Sequence, residues 1–234
     1  MVQSRRERLH QETLTEIKHL AYRQMAEEGT EAISLRAIAR QMGMSSAAIY
    51  RYYENRDALI TALFLDAYSD LAQTLETAID AHPHASFAEH YRQRALAYRR
   101  WALEHQGEYQ LIFGNPIPGY QVPTELVLPA ARRCLQAFLE IFVKAWRAGA
   151  MRELPEYTRV QGELRASLDN WRTEAGYSDL PLSIFQLALV NWSTLHGLIS
   201  LELFNHLQAI IGNSEPLYSA EIDAFLERLH MLVP

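Results

Sequence analysis

The sequence predicts an all-α protein, on three observations. Apolar residues recur at three-and-four spacing along almost the whole chain. The strict alternation that marks strands is absent. Glycine and proline fall between long periodic stretches and so read as helix stops and loops. With 234 residues, 49% of them hydrophobic, the chain can bury a sizeable core as one large or two modest domains.

The first helix is expected from about Glu12 to Glu28, with Leu14, Ile17, Ala21 and Met25 on one face and Gly29 ending it. Two short helices follow between Ile33 and Arg56. Ser34 stands where an N-cap belongs, able to accept from the free N–H groups of the next turn. Leu35, Ile38, Ala39 and Met42 then line one buried face, and Gly43 breaks the pattern. Ser45 or Ser46 caps the next helix, expected to run to about Tyr53. The spacing, turn residue and caps together make a helix-turn-helix.

That second helix divides by its own geometry. Ile49 and Tyr53, four apart, face inward. Ser46, Ala47, Tyr50 and Arg51 share another face, with Ser45 at its edge. Small residues there let the backbone approach base edges. Tyr50 and Tyr52 offer hydroxyls to phosphates, while Arg51 and Arg56 offer cations for phosphate contact or base readout. A surface hairpin that happens to carry two arginines has the same spacing, so the motif alone leaves both readings open.

Downstream, a helix from about Arg56 to Ala81 carries Leu59, Leu63, Ala67 and Leu71 until His82-Pro83-His84 breaks it. The next spans Phe87 to His105, with Tyr91, Ala95, Tyr98 and Ala102 on one stripe. Gly107 to Phe113 is a short helix, and Gly114 to Pro123 a loop. Helices resume over Pro123–Ala150, Pro155–Glu174, Pro181–Gly212 and Ser219–Leu232, which makes nine or so. Leu180 to Leu201 is the longest stretch without a formal charge. It holds too many polar groups for lipid, Ser183, Gln186, Asn191 and His196 among them, so a buried helix at a subunit interface is the better reading. Phe185, Ala188, Leu189, Trp192, His196 and Ile199 share one of its faces; Leu195, Leu198 and Leu201 occupy another. Gly197 removes a side chain where a partner helix could come close. Ile222, Phe225, Leu226 and Leu229 repeat the spacing in the last helix.

Charge narrows the function. The net charge is −6, divided into +2 up to Arg56 and −8 beyond it. A near-neutral head on an acidic body fits a protein that meets DNA at one end only. Arg5, Arg6 and Arg8 form either a flexible basic arm reaching for DNA or a solvated terminus. No uninterrupted apolar run stands behind them, so no signal peptide is read there. Cys134 is the only cysteine; it excludes an intrachain disulfide and reads as a buried structural thiol. His82 and His84 lack a neighbouring cysteine or carboxylate pair, so no metal site is expected. With no HExxH, glycine-rich phosphate loop or G-x-S-x-G elbow, neither a catalytic centre nor a cofactor is expected. The competing classes are an all-helical enzyme with scattered carboxylates and a small-molecule-binding bundle without operator binding.

The helix-turn-helix, with the helix before it, resembles the N-terminal DNA-binding domain of TetR-family transcriptional regulators. The resemblance rests on the alanine-rich helix before Gly43, the small residues after it, and the run Ile49-Tyr50-Arg51-Tyr52-Tyr53-Glu54-Asn55-Arg56-Asp57-Ala58-Leu59. Tyr53 stands where the family usually has Phe, and Arg56 where it has Lys; both keep the physical role. Asn191-Trp192-Ser193-Thr194-Leu195-His196-Gly197-Leu198 resembles the Trp–His–Gly segment of a subset of the family's C-terminal domains. In those relatives this helix and the last one pair across a twofold axis.

The resemblance implies a DNA-binding domain over residues 1–55, with its motif at 33–52, and a ligand-binding and dimerisation domain over 56–234. DNA contacts are expected from Ser34, Arg36, Ser45, Ser46, Ala47, Tyr50, Arg51, Tyr52 and Arg56. A small-molecule effector is expected among Tyr98, Trp101, Tyr109, Phe113, Phe142, Trp146 and His196, though an aromatic stripe is also ordinary core. The dimer interface is expected at Trp192, Leu195, Gly197, Ile199, Ile222, Phe225 and Leu229, with packing inside one subunit as the alternative. The implied function is that of a cytoplasmic, homodimeric regulator of an inverted-repeat operator in double-stranded DNA. Repression is the commoner sign in the family.

Overall fold

Capping sets the start of the first helix. In the computed structural model, which describes residues 4–231, the Ser4 hydroxyl accepts from the Glu7 N–H at 3.2 Å. The Glu7 carboxylate in turn accepts from the Ser4 N–H at 2.8 Å. This reciprocal capping box starts α1 (Arg5–Glu28) a full turn and more before Glu12. Arg5, Arg6 and Arg8 are therefore helical and do not form a flexible arm.

Eleven α-helices follow one another among the described residues, and no strand occurs there. After α1 come α2 (Leu35–Gln41), α3 (Ser46–Ile49), α4 (Arg56–Thr77), α5 (Phe87–Glu104), α6 (Gln106–Phe113) and α7 (Thr124–Arg147). The chain ends with α8 (Gly162–Glu174), α9 (Leu182–Leu203), α10 (Gln208–Ile211) and α11 (Glu215–Arg228). The stretch expected as one helix from Pro181 to Gly212 breaks after Leu203, where Asn205 takes a positive φ of 60°. Pro216 lies in the first turn of α11, where its missing N–H is no loss, so that helix starts ahead of Ser219.

Two compact units emerge, and their division differs from a cut at residue 55. The first comprises residues up to Asp70 together with His105–Ala130; the second comprises Leu71–Glu104 and the chain from Ala131 onward. Helices α4 and α7 each run through a change of unit.

In the first unit, Ile17, Ala21 and Met25 of α1 share a core with Ile38, Ile49 and Leu59. The Tyr22 hydroxyl donates to the Leu63 carbonyl at 3.2 Å and the Tyr68 hydroxyl to the Ile112 carbonyl at 3.3 Å, so α4 holds both α1 and α6. The loop after α6 is also tied to α4. The Tyr120 hydroxyl lies 2.9 Å from that of Thr61, and its ring stacks on Phe64 with centroids 5.8 Å apart. Gly114 ends α6 by necessity, because a Cβ there would meet the Gln110 carbonyl oxygen at 2.3 Å.

The second unit is built around aromatic rings. Tyr91 packs against Phe225, Phe142 and Phe138 at centroid distances of 5.2, 5.8 and 6.2 Å. Polar clips link the helices around them. The buried Arg94 guanidinium donates to the Leu75 carbonyl at 2.9 Å and to the Ala137 carbonyl, joining α4, α5 and α7. Arg99 grips Glu202 through two bonds of 2.8 and 2.6 Å, joining α5 to α9. By length and composition α9 is apolar enough to cross a membrane, yet it buries eight residues in this unit, Ser183 and Asn191 among them.

Phe142 is fully buried inside the aromatic cluster. Phe142→Ala should therefore lower stability by about 3–5 kcal/mol, measured as the shift in urea unfolding. A cost below about 1 kcal/mol would mean the ring lines open space and not a packed core.

Candidate nucleic-acid interface

Local chemistry shapes the motif residue by residue. The Ser34 hydroxyl accepts from the Ala37 N–H at 3.4 Å and starts α2, while the Ser34 N–H donates to the buried side chain of Gln24 at 3.0 Å. At the other end Gly43 takes φ +65°, a conformation that costs an L side chain about 1–2 kcal/mol. That conformation lets the Met44 N–H reach the Ala39 carbonyl at 2.8 Å and the Gly43 N–H reach that of Arg40 at 3.2 Å. Ser45 then caps α3 by accepting from the Ala48 N–H at 3.2 Å. α3 is a single turn, shorter than expected. From Tyr50 the chain tightens, with the N–H groups of Arg51 and Tyr52 reaching the carbonyls of Ala48 and Ile49, three residues back.

The inward and outward faces fall where the spacing put them. Ile49 is fully buried and Tyr53 nearly so; burial, with Asp66 nearby, pushes the Tyr53 phenol up to about 12. Ser45, Ser46, Ala47, Tyr50 and Arg51 are exposed on α3 and its continuation, as is Arg36 on α2. Ser34 and Tyr52 are half-buried.

The structure adds members that the motif did not bring together. Arg5, Arg6, Leu9, His10 and Thr13 of α1 join Arg51 and Tyr52 around an open cleft of about 650 Å³. The His10 ring stacks on Tyr52 with centroids 4.9 Å apart. The signal was present in the spacing. Arg5, Leu9 and Thr13 stand four apart, as do Arg6 and His10, so a helix starting at Arg5 brings all five to one side.

Arg56 has a different position from the one expected. Its Nε donates to the Ile33 carbonyl at 3.1 Å, and its Nη2 reaches those of Thr30 and Glu31 at 3.3 and 3.4 Å. The guanidinium thus holds the connection between α1 and α2 against the start of α4. Within the head it is a positioning residue.

In the second unit His196 is the best-placed of the expected ligand residues. Its Nδ1 lies 2.8 Å from the Tyr98 hydroxyl, and its ring stacks on Trp192 at 5.1 Å. Burial holds its pKa below the ordinary imidazole value. Trp101 is buried in the same unit, Phe142 belongs to the aromatic cluster, and half-buried Trp146 lines a separate small cleft with Met151, Leu154 and Tyr157. Tyr109 and Phe113 belong to the first unit, where their rings meet edge-on at 5.1 Å. Burial pushes the Cys134 thiol up to about 12, as suits a structural cysteine.

The expected dimer residues need correction. Leu195, Ile199, Ile222, Phe225 and Leu229 are all buried in the second unit's own core. Trp192 and Gly197 stay half-buried. The face of α9 left outward carries Val190, Thr194, Gly197, Leu201 and Phe204, of which Val190, Leu201 and Phe204 are exposed at 40%, 42% and 47%. A helix that is apolar all round gives no periodic signal to separate its inner side from its outer one.

Similarity to known proteins covers most of the chain. Residues 17–63 match the family described as bacterial regulatory proteins, tetR family, and residues 91–225 match the tetracyclin repressor-like C-terminal domain. The HTH-type transcriptional regulators Rv1816 of Mycobacterium tuberculosis and Mb1846 of Mycobacterium bovis are each 35% identical over 193 residues, 82% of this chain and 81% of theirs. The crystal structure of the regulatory protein SCO4313 aligns with a TM-score of 0.76 at 35% identity, covering 96% of this chain and 100% of that one. The TetR family regulator PfmR from Thermus thermophilus shares the fold at 18% identity, with a TM-score of 0.59 over 90% of this chain and 97% of its own.

Because Arg56 holds three carbonyls, Arg56→Ala should destabilise the protein by about 1–3 kcal/mol. Exposed Arg51→Ala should stay within about 0.5 kcal/mol of wild type. Thermal and urea unfolding of the two variants side by side checks this; equal stabilities would remove the clamp.

Proposed function

The chain belongs to the tetR family of bacterial regulatory proteins and is a DNA-binding transcriptional regulator; from that premise we propose that it is a homodimeric repressor, binding an inverted-repeat operator and released by a small-molecule effector. The observation that carries this reading is the exposed face of Ser45, Ser46, Ala47, Tyr50 and Arg51, presented by a turn whose opposite face is packed.

Each residue has a physical part in the proposed complex. Ser45, Ser46 and Ala47 are small enough to let the backbone approach base edges in the major groove. Arg51 carries the donor fork that pairs with a guanine edge. Tyr50, Tyr52, Arg36 and Ser34 serve the phosphates, with Arg5 and Arg6 adding cations from α1. Arg56 keeps α2 and α3 at a fixed angle to α4. Residues 1–55 supply the DNA contacts, and 56–234 supply ligand binding and dimerisation. The acidic remainder of the chain, at −8, favours contact through the head alone.

Homodimerisation is supported by the outward apolar stripe of α9, since two heads reading two half-sites require a fixed spacing. For the effector, Tyr98, Trp101 and His196 offer an aromatic setting with a hydrogen-bonding pair. An effector releases DNA only through its differential affinity for two states of the protein. α4 is continuous from Arg56 to Thr77 and is one covalent route by which such a difference reaches the head. With DNA as its target, the protein acts in the cytoplasm.

Selection of duplexes from a random library by the full chain tests the reading, and an inverted repeat should be enriched. On that repeat Arg51→Ala should weaken binding by about 1–3 kcal/mol and relax preference at one position of each half-site. Arg6→Ala should instead weaken all sequences alike and reduce the salt dependence by about one phosphate contact per head. Failure to enrich any motif, with general DNA affinity also absent, would overturn operator binding.

A further inference from the structure

The opening of α1 contributes nothing to the core. Residues 4–12 are all exposed, and the first buried side chain of the helix is Ile17. About two turns of helix that bury no apolar face need local support to form at all. The sequence supplies it through the capping box of Ser4 and Glu7 and the pair of Arg8 with Glu12, 3.6 Å apart. The extension is therefore specified, yet packing gives no reason for it.

What it carries reaches the exposed side of the helix-turn-helix. Arg5, Arg6 and His10 line the cleft shared with Arg51 and Tyr52. Among the described residues no carboxylate pairs with Arg5, Arg6 or Arg51. The His10 ring lies on Tyr52 with centroids 4.9 Å apart and planes inclined by only 18°. Tyr52 stands just past α3, where its N–H reaches the Ile49 carbonyl at 2.9 Å. Its hydroxyl has no hydrogen-bond partner among the described residues. A half-buried side chain so placed has staggered alternatives about χ1, and a ring stacked on it selects one of them. His10 is itself held in place, because its helix is anchored in the core by Ile17, Leu20 and Ala21.

We propose that the opening turns of α1 form a strut facing the DNA and that His10 is a positioning residue, its ring holding Tyr52 so that the tyrosine hydroxyl meets a backbone phosphate. This rests on the operator reading above and adds to it a residue that acts through its neighbour. A tyrosine held beforehand avoids the ordering cost that a mobile one incurs on binding. Its hydroxyl then donates to a charged oxygen, which is the stronger kind of hydrogen bond. Arg5, Arg6 and Arg51 draw a phosphate toward the same cleft by charge. Charge alone sets no direction of approach, and the stacked pair supplies one.

Fluorescence anisotropy of the full chain on a labelled duplex carrying the enriched repeat reads the effect, with circular dichroism confirming that each variant is folded. Tyr52→Phe keeps the ring, removes the hydroxyl and should weaken binding about 10-fold or more. His10→Ala should weaken it about 3- to 10-fold. His10→Phe, which restores a stacking ring without its nitrogens, should return affinity to within about 2-fold of wild type. Adding His10→Ala to Tyr52→Phe should cost less than about 2-fold more, because a ring without a hydroxyl has nothing left to aim. Full multiplication of the two losses would make His10 a separate DNA contact and overturn the inference. His10→Phe binding as weakly as His10→Ala overturns it too, as does His10→Ala binding as tightly as wild type, whatever its thermal stability. A wild type that selects no duplex overturns the operator reading itself.

Discussion

The guanidinium of Arg56 donates to the carbonyls of Ile33, Thr30 and Glu31, the stretch that connects α1 to α2. Those carbonyls belong to a single tight turn with few helical partners, so a cation beside them satisfies several acceptors at once. The consequence is geometric. The start of α4 is bound to the entry of α2, and the exposed face of α3 inherits its orientation from that joint. Since Tyr22, Tyr68 and Tyr120 all anchor to α4 or to a helix packed on it, the head has one rigid spine. A cation expected to touch DNA thereby acts one step earlier, by helping to determine where the exposed residues of α3 stand.

The second unit depends on buried and half-buried polar groups set among aromatic rings. Arg94 on two carbonyls, Arg99 on Glu202, the Tyr218 hydroxyl on the Ala95 carbonyl and Tyr98 on His196 each join two or more helices. Ring packing alone would hold these helices together without choosing one alignment. A hydrogen bond in a dry setting chooses, because the alternatives leave a group unsatisfied.

Side-chain chemistry is divided along the chain in the same way as charge. The residues suited to bases and phosphates lie in the stretch up to and including Arg56, where the balance is +2, and the acidic remainder carries the aromatic core and the outward apolar stripe.

Much of the head was legible because its signals are local. Ser34, Gly43 and Ser45 each act within four residues of themselves, through a cap or a positive φ, so neighbouring sequence carries the whole instruction. The alternation of Ile49 and Tyr53 with Ser46, Ala47, Tyr50 and Arg51 likewise needs only helical geometry. Ser4 and Glu7 carried an equally local signal for the start of α1, which apolar periodicity does not register. The rest was decided by contacts between residues far apart in the chain. The partners of Arg56 lie 23 to 26 positions away, and Tyr91 meets Asn191 across 100. For α9, apolar on every side, composition specified a buried helix, but only packing against α5 and α8 determined which side stayed outward. By itself the sequence determined that this protein is helical and reads DNA. Tertiary structure alone decided which cation clamps the head and which ones face outward, and which apolar face remains exposed, because those choices depend on what each side chain finds opposite it.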